Sequence, residues 1–291
     1  MNLTNPSEIK AIMSESGFSF KKKFGQNFLI NKDIPRRIAE ASVTDAPIEK
    51  RACIEIGPGI GVMTRELADL YGKVYSFEID SDLIPILEKT LADKDNVAVI
   101  NKDILEVDLN QFVRENLEGY TVSVCANLPY YITTPIIMSI FESEAPIDRI
   151  VVMIQKEVAT RLVSSPGSAE YGSITPVIEY YATVQKLFDV SPGNFMPRPE
   201  VTSTVVAFNT RKAPRVTPRS KEFLFRTIKG AFALRRKTAV NSLATEFTMS
   251  KEELAKCLEN IGLSATVRGE ALNLDQLSSL SDEIYAFLSF R

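Results

Sequence analysis

The feature of this sequence that most limits its fold is an alternation of short apolar runs and amphipathic stretches between residues 50 and 210. The runs have the length of strands, and the stretches between them carry apolar residues at the three- and four-residue spacing of helices. Nearly continuous apolar strands separated by helices form a parallel sheet covered on both faces. The predicted strands are 52–56, 74–79, 97–101, 121–126 and 149–155.

Two further apolar runs, 186–190 and 202–208, follow each other across a loop rich in proline and glycine. Because no helix separates them, we predict an antiparallel hairpin at the end of the sheet. A plain dinucleotide-binding fold lacks this feature, since both of its halves run strand–helix–strand.

The C-terminal part of the chain has helical patterns and no convincing strand. Residues 211–219 contain two prolines and no core pattern, as expected for a linker. At 291 residues the chain is long enough for two domains. We therefore predict an α/β domain over 1–210, a linker over 211–219 and a small all-helical domain over 220–291. The predicted C-terminal helices are 220–234, 250–261 and 275–289.

The chain contains no histidine. This excludes a Ser-His-Asp triad, a Cys-His pair and most zinc hydrolase sites. The three cysteines, Cys53, Cys125 and Cys257, are too far apart for a CxxC metal site, and an odd number argues against a disulfide framework. No membrane span or secretion signal is visible, so we expect a cytoplasmic protein without a metal site.

Basic residues are concentrated in one segment of an otherwise acidic chain. Between Arg211 and Lys237 there are ten lysines and arginines and one acid, although the net charge of the whole chain is −3. Such a segment is either a solvated surface or a contact for a polyanion. A second cluster near the N-terminus favours nucleic acid. The candidate RNA-binding residues are Lys21, Lys22, Lys23, Arg235, Arg236 and Lys237.

A glycine-rich turn follows the first predicted strand, with Gly57, Gly59 and Gly61 at every second position. Glycine lets the backbone approach a ligand closely, and the helix that follows favours an anionic group at its N-terminus. The spacing differs from the G-x-G-x-x-G of nicotinamide enzymes. Taken alone, this turn fits an ordinary tight turn equally well.

Two acids end the next two strands. Glu78 ends the second strand, where a carboxylate can bind the two hydroxyls of an adenosine ribose, and Asp103 follows the third at the same sheet edge. Each acid alone could be an exposed carboxylate at a strand end. Together with the glycine turn they favour a cofactor of the adenosine type.

The fourth strand ends in Asn127-Leu128-Pro129-Tyr130. The exocyclic N6 amine of adenine is a poor nucleophile, because its lone pair is delocalised into the ring. Acceptors on Asn127 and on the Leu128 carbonyl would bond both amine hydrogens, localise that lone pair and bind more strongly as positive charge develops. Tyr130 could stack on the base. This chemistry needs no imidazole base.

A second aromatic residue, Phe195, lies in the proline-rich loop of the predicted hairpin. Held by its neighbouring prolines, Phe195 could close over a flipped adenine, although it could also be an ordinary hydrophobic plug. The candidate catalytic residues are therefore Asn127, Leu128, Tyr130 and Phe195.

These motifs resemble those of the small-subunit (16S) rRNA adenine N6,N6-dimethyltransferases, and the resemblance runs nearly end to end. The matching segments are 24–29 (FGQNFL), 55–59 (EIGPG), 127–130 (NLPY), 155–158 (QKEV), 195–201 (FMPRPEV) and, more loosely, 231–238.

The resemblance implies a class I methyltransferase (Rossmann-like) domain with a mostly parallel seven-stranded sheet, and a helical C-terminal domain. It implies S-adenosylmethionine as cofactor and, as substrate, two adjacent adenosines in a hairpin near the 3′ end of small-subunit rRNA. The implied partner is the assembling small ribosomal subunit, and we expect a monomer. The implied cofactor-binding residues are Asn27, Leu29, Gly57, Gly59, Glu78, Asp103 and Asn127.

Three alternatives remain at this stage. A methylase of large-subunit rRNA shares the motif around Asn127. A nicotinamide oxidoreductase is disfavoured by the glycine spacing. A non-catalytic assembly factor on the same scaffold would be expected to have lost Asn127 or Glu78, and both are present.

Overall fold

The computed structural model describes residues 2–18, 21 and 25–289 and divides into two compact units. One unit comprises the residues up to 159 together with 185–210. The other comprises 160–184 together with 211–291. The division after residue 210 coincides with the expected start of the linker, whereas residues 160–184 group with the C-terminal helices.

Nine strands are present in the described residues. They are β1 (Phe28–Leu29), β2 (Arg51–Ile56), β3 (Lys73–Glu78), β4 (Val97–Asn101), β5 (Thr121–Asn127), β6 (Arg149–Gln155), β7 (Ala182–Val190), β8 (Phe195–Met196) and β9 (Ser203–Thr210).

Seven of these strands form one sheet, in the order β4-β3-β2-β5-β6-β9-β7. The pairs β3–β4, β2–β3, β2–β5 and β5–β6 are parallel, and β9 is antiparallel to β6. The predicted mostly parallel α/β sheet is confirmed, and β7 and β9, which contain the two apolar runs 186–190 and 202–208, are neighbours in it. β1 and β8 form a separate antiparallel pair, Phe28 opposite Met196 and Leu29 opposite Phe195.

The central strands are buried except at their end residues, as their continuous apolar sequences predict. In β2 every residue from Ala52 to Ile56 is buried, and in β6 every residue from Ile150 to Ile154. Seven helices accompany the strands: α1 (Pro6–Glu15), α2 (Asp33–Ser42), α3 (Val62–Leu70), α4 (Ile84–Thr90), α5 (Leu109–Asn116), α6 (Thr133–Glu142) and α7 (Lys156–Leu162).

The helical unit has its own core. Its helices are α8 (Ile174–Tyr181), α9 (Lys221–Phe232), α10 (Ala239–Leu243), α11 (Lys251–Asn260) and α12 (Leu274–Ser289). Leu224, Leu243, Leu254 and Leu280 are fully buried in this core, and Tyr180 of α8 joins it. Packing of α8 against α9 and α12 explains why residues 160–184 belong here.

The expected linker has no regular secondary structure, but it is held in place within the helical unit. The backbone N–H groups of Arg211 and Arg215 donate to the carbonyls of Tyr181 and Tyr180. The Arg215 guanidinium is also paired with Glu179 and with Asp275. None of the helices in the described ranges is both long and apolar enough to cross a membrane.

Candidate active site

The glycine turn after β2 has a backbone that other residues rarely adopt. Gly57, Gly59 and Gly61 have φ values of +70°, +61° and +89°. A Cβ on Gly59 would lie 3.1 Å from the Phe28 ring, whereas a Cβ on Gly57 would meet nothing within 4 Å. The turn therefore needs glycine, and at Gly57 it presents bare backbone to open space.

The turn forms one wall of a cleft at the carboxyl edge of the sheet, with about 1140 Å³ of empty volume including space open to solvent. The cleft lies within the larger unit. The structure brings all the candidate cofactor residues together on its walls, namely Asn27, Leu29, Gly57, Gly59, Glu78, Asp103 and Asn127. Leu128 and Tyr130 also line it.

Glu78 ends β3 with its side chain almost entirely buried. Its Oε2 accepts from the Gly59 N–H at 3.2 Å, and its Oε1 accepts from the Asp80 N–H at 2.9 Å. Burial raises the pKa of this carboxyl to about 7, against the opposing effect of these two hydrogen bonds. Glu78 therefore ionises near neutral pH on the wall of the cleft.

Asp103 also lines the cleft and is half-buried. Its Oδ1 accepts from the Leu105 N–H at 2.9 Å, which caps a short 3₁₀ turn. The carboxylate also acts on Tyr131, whose pKa is raised by partial burial and by the charge of Asp103.

Glu55 also lines the cleft, although it was not among the predicted site residues. It is completely buried on β2, and its Oε2 accepts from the Ser76 hydroxyl at 2.7 Å. Its Oε1 has no partner in the described part of the chain. Burial raises its pKa to about 7. The sequence contained a sign of this residue, because an acidic side chain within a predicted buried strand is uncommon.

Asn127 is held at the end of β5 by its side-chain amide. Nδ2 donates to the Asn27 carbonyl at 3.2 Å. A carbonyl can only accept, so the amide must present its nitrogen to Asn27 and its oxygen to the other side. The backbone N–H of Leu128 donates to Met153 of β6 at 3.1 Å. The motif is thus fixed to the sheet, with the Asn127 acceptor turned away from Asn27.

The two tyrosines that follow differ in exposure. The Tyr130 hydroxyl shares a 2.8 Å hydrogen bond with the Ser203 hydroxyl, and partial burial raises its pKa. Tyr131 is 60% exposed. Pro129 lies before them, and its carbonyl accepts from the Thr133 hydroxyl at 3.0 Å, which joins the motif to the start of α6.

Phe195 does not line the cleft. It is 4% exposed, faces Leu29 across the β1–β8 pair and packs in a core with Ile34 and Ile38. In this conformation it serves as the hydrophobic plug that the sequence allowed, because two apolar strands leave its ring no access to solvent. Its closing over a base stays a prediction.

The N-terminal basic cluster is only partly described. Lys22 and Lys23 lie outside the described residues. Lys21 Nζ is 2.6 Å from Asp80 Oδ1 and 2.5 Å from Asp82 Oδ2, and hydrogen bonds to these two acids raise its pKa. This ion pairing gives Lys21 a role within the protein, so its proposed contact with RNA competes with two carboxylates.

The C-terminal basic residues lie in a turn, not on a helix. α9 ends at Phe232, and Arg235, Arg236 and Lys237 follow in the exposed turn before α10. The prediction that the helix continues to residue 234 was wrong at this end, although the exposure fits a surface contact. Arg235 is 3.6 Å from Glu270, and the other two basic side chains extend from the same turn.

Comparisons with known proteins agree with one another. Residues 17–284 match the family described as ribosomal RNA adenine dimethylase. A protein of Lachnoclostridium phytofermentans named ribosomal RNA small subunit methyltransferase A is 45% identical over 97% of both chains. A protein of the same name from Streptococcus thermophilus is 44% identical over 98% of both chains.

Solved structures show the same fold. A dimethyladenosine transferase from Plasmodium falciparum has a TM-score of 0.72 at 22% identity, covering 90% of this chain and 98% of its own. The 23S rRNA methyltransferase ErmE has a TM-score of 0.66 at 23% identity, covering 89% of this chain and 99% of its own.

Proposed function

Because the chain belongs to the ribosomal RNA adenine dimethylase family, we propose that it dimethylates the N6 amines of two adjacent adenosines near the 3′ end of small-subunit (16S) rRNA. It is an S-adenosylmethionine-dependent methyltransferase. We assign methyl transfer to the unit that contains the sheet, and RNA contacts in part to the helical unit. As partners we propose the assembling small ribosomal subunit and its RNA. We further propose that the protein is cytoplasmic and acts as a monomer.

The cleft fits S-adenosylmethionine, which supplies an electrophilic methyl group when bound. Glu78 can accept from both hydroxyls of a ribose, and the bare backbone at Gly57 leaves room for close approach. Glu55 lines the same cleft, but it is completely buried and its Oε2 accepts from Ser76. Asn27, Leu29, Gly59 and Asp103 complete the proposed binding site.

The observation that carries the proposal is the orientation of Asn127. With Nδ2 given to the Asn27 carbonyl, Oδ1 is the atom left to accept from an amine. The Leu128 carbonyl would accept the second amine hydrogen. Both bonds strengthen as the nitrogen becomes pyramidal and positive, so they stabilise the transition state more than the ground state.

The remaining residues of the motif, Pro129 and Tyr130, fix the backbone and bind the target base. Pro129 limits the backbone so that the Leu128 carbonyl keeps its direction. Tyr130 is oriented by Ser203, and its ring would stack on the target base. The methylated amine is strongly acidic and can lose its proton to water, so no side-chain base is required in a chain without histidine.

The decisive experiment incubates the protein with radiolabelled S-adenosylmethionine and either small-subunit or large-subunit particles that lack the modification. We expect label in N6,N6-dimethyladenosine from small-subunit RNA alone. Label in large-subunit RNA would favour the alternative function, a methylase of large-subunit rRNA. Binding to small-subunit particles without any label would favour a non-catalytic assembly factor.

A further inference from the structure

A buried acid next to Glu78 connects the cofactor wall with the N-terminal segment. The Asp80 side chain is 1% exposed, and its carboxylate receives three hydrogen bonds. Oδ1 accepts from Lys21 Nζ at 2.6 Å and from the Asp82 N–H at 3.2 Å, and Oδ2 accepts from Gln26 Nε2 at 2.8 Å. A buried carboxylate is costly without such donors, so Asp80 holds Lys21 and Gln26 firmly.

Gln26 is fixed at both ends of its side-chain amide. While Nε2 donates to Asp80, Oε1 accepts from the Lys21 N–H at 3.0 Å. The NH₂ end of the amide faces an acceptor and the oxygen end faces a donor, so a flipped amide would lose both hydrogen bonds. The backbone at residues 26 and 27 is anchored accordingly.

The residue after Gln26 contacts the catalytic motif. The Asn27 carbonyl accepts from Asn127 Nδ2, and the Asn27 side chain donates to the Gly25 carbonyl at 2.9 Å. The Asn27 carbonyl is therefore the group that decides which end of the Asn127 amide faces the substrate. If this carbonyl moved, Asn127 could turn its NH₂ group towards the target amine, and a donor there would repel the amine hydrogens.

We propose that Asp80 is a positioning residue for methyl transfer: by holding Gln26 it places the Asn27 carbonyl that turns the Asn127 oxygen towards the target amine. This inference rests on the proposed function, because it concerns the same reaction. It assigns to Asp80 an effect on the rate of the chemical step at saturating RNA.

The test compares Asp80→Asn, Gln26→Leu and the double variant in single-turnover methylation with saturating RNA and cofactor. Each single variant should react about 10-fold more slowly, and the double variant no more slowly than the worse single one, since both break the same connection. Saturating RNA removes from the comparison any change in RNA affinity that follows from freeing Lys21 from Asp80. The matched control is Asp93→Asn, which breaks an exposed pair with Arg65 in the same unit and should keep the wild-type rate.

A structural role alone would give a different pattern. Wild-type rates in the folded variants, or multiplied losses in the double variant, would overturn the proposal. If Asp80→Asn does not fold, Gln26→Leu alone carries the same rate prediction.

A measurement without substrate separates this proposal from the proposed function. In the NMR spectrum of the free protein, the Asn127 side-chain amide should shift and exchange with water at least about 10-fold faster in Asp80→Asn than in wild type, because its hydrogen bond is lost. Asp93→Asn should leave that signal in place. An unchanged Asn127 signal in Asp80→Asn would refute the positioning role, whether or not the wild-type protein methylates the particles.

Discussion

The affinity for S-adenosylmethionine should depend on pH through Glu78. The pKa of this carboxyl is raised to about 7 by burial, and a ribose diol needs the ionised form as acceptor. With that pKa, only about a tenth of the sites are ionised at pH 6, and nearly all are at pH 8.5. Calorimetry should therefore show a dissociation constant about 10-fold larger at pH 6 than at pH 8.5, or about 1.4 kcal/mol.

The variant that removes the ionisation is Glu78→Gln. It should bind the cofactor about 10- to 100-fold more weakly at pH 8.5, as expected for the loss of a charged acceptor, and with no pH dependence near 7. Glu55→Gln is the control, since Glu55 has a similar pKa on the neighbouring strand. A profile that flattens in Glu55→Gln, or persists in Glu78→Gln, would refute the assignment.

The stability of the free protein should depend on pH in the opposite direction, because it falls as Glu78 ionises. The folded state binds the Glu78 proton more tightly than the unfolded chain does, so this contribution is greatest below pH 4.5 and is lost as the pH rises through about 7. The rise of this pKa from 4.5 to about 7 sets an upper bound of about 3.4 kcal/mol on the contribution of Glu78 to the free energy of unfolding. Urea unfolding without cofactor should show wild type losing more stability than Glu78→Gln between pH 5 and 8.

Three further predictions concern other parts of the chain. In urea titrations, Gly269→Ala should lower the free energy of unfolding by at least about 2 kcal/mol, because the new Cβ would overlap the Ala231 carbonyl. Gly193→Ala is the control and should change this free energy by less than about 0.5 kcal/mol, because the space around Gly193 is open. Replacing the three basic residues at 235–237 by Gln should flatten the slope of log RNA affinity against log salt by about 1.5–2.5, and parallel lines would exclude phosphate contacts. The single-turnover rate at saturating cofactor should be flat between about pH 6 and 8.5, and a bell-shaped profile would require a catalytic base.

The sheet and much of the cleft could be predicted from the sequence because they depend on local patterns. β4 and β6 begin and end where the apolar runs do, and β6 is buried from Ile150 to Ile154, as its continuous apolar composition predicts. Gly57, Glu78, Asp103 and Asn127 could be placed at one edge because carboxyl ends of parallel strands meet there.

The remaining features depend on tertiary contacts that no short pattern encodes. The prolines around Phe195 suggested that its ring could close over a base. Its burial in the structure depends on pairing with Leu29, which is far away in the chain. The role of Lys21 within the protein depends on Asp80, 59 residues later. α9 ends early, at Phe232, where the Ser242 hydroxyl of α10 donates to the Gly230 carbonyl and accepts from the Leu234 N–H. These contacts join residues that are 8 and 12 positions apart in the chain.

The most direct test of the account is the rate of methyl transfer by Asn127→Ala on small-subunit particles in single turnover. The proposed mechanism predicts a rate at least about 100-fold below wild type, the scale of losing one preorganised transition-state partner, with RNA affinity nearly unchanged. Asn116→Ala is the matched control, because its side-chain amide donates to the Phe112 carbonyl at the end of α5 and does not line the cleft. A rate for Asn127→Ala near that of wild type and of Asn116→Ala would contradict the claim that Asn127 activates the target amine.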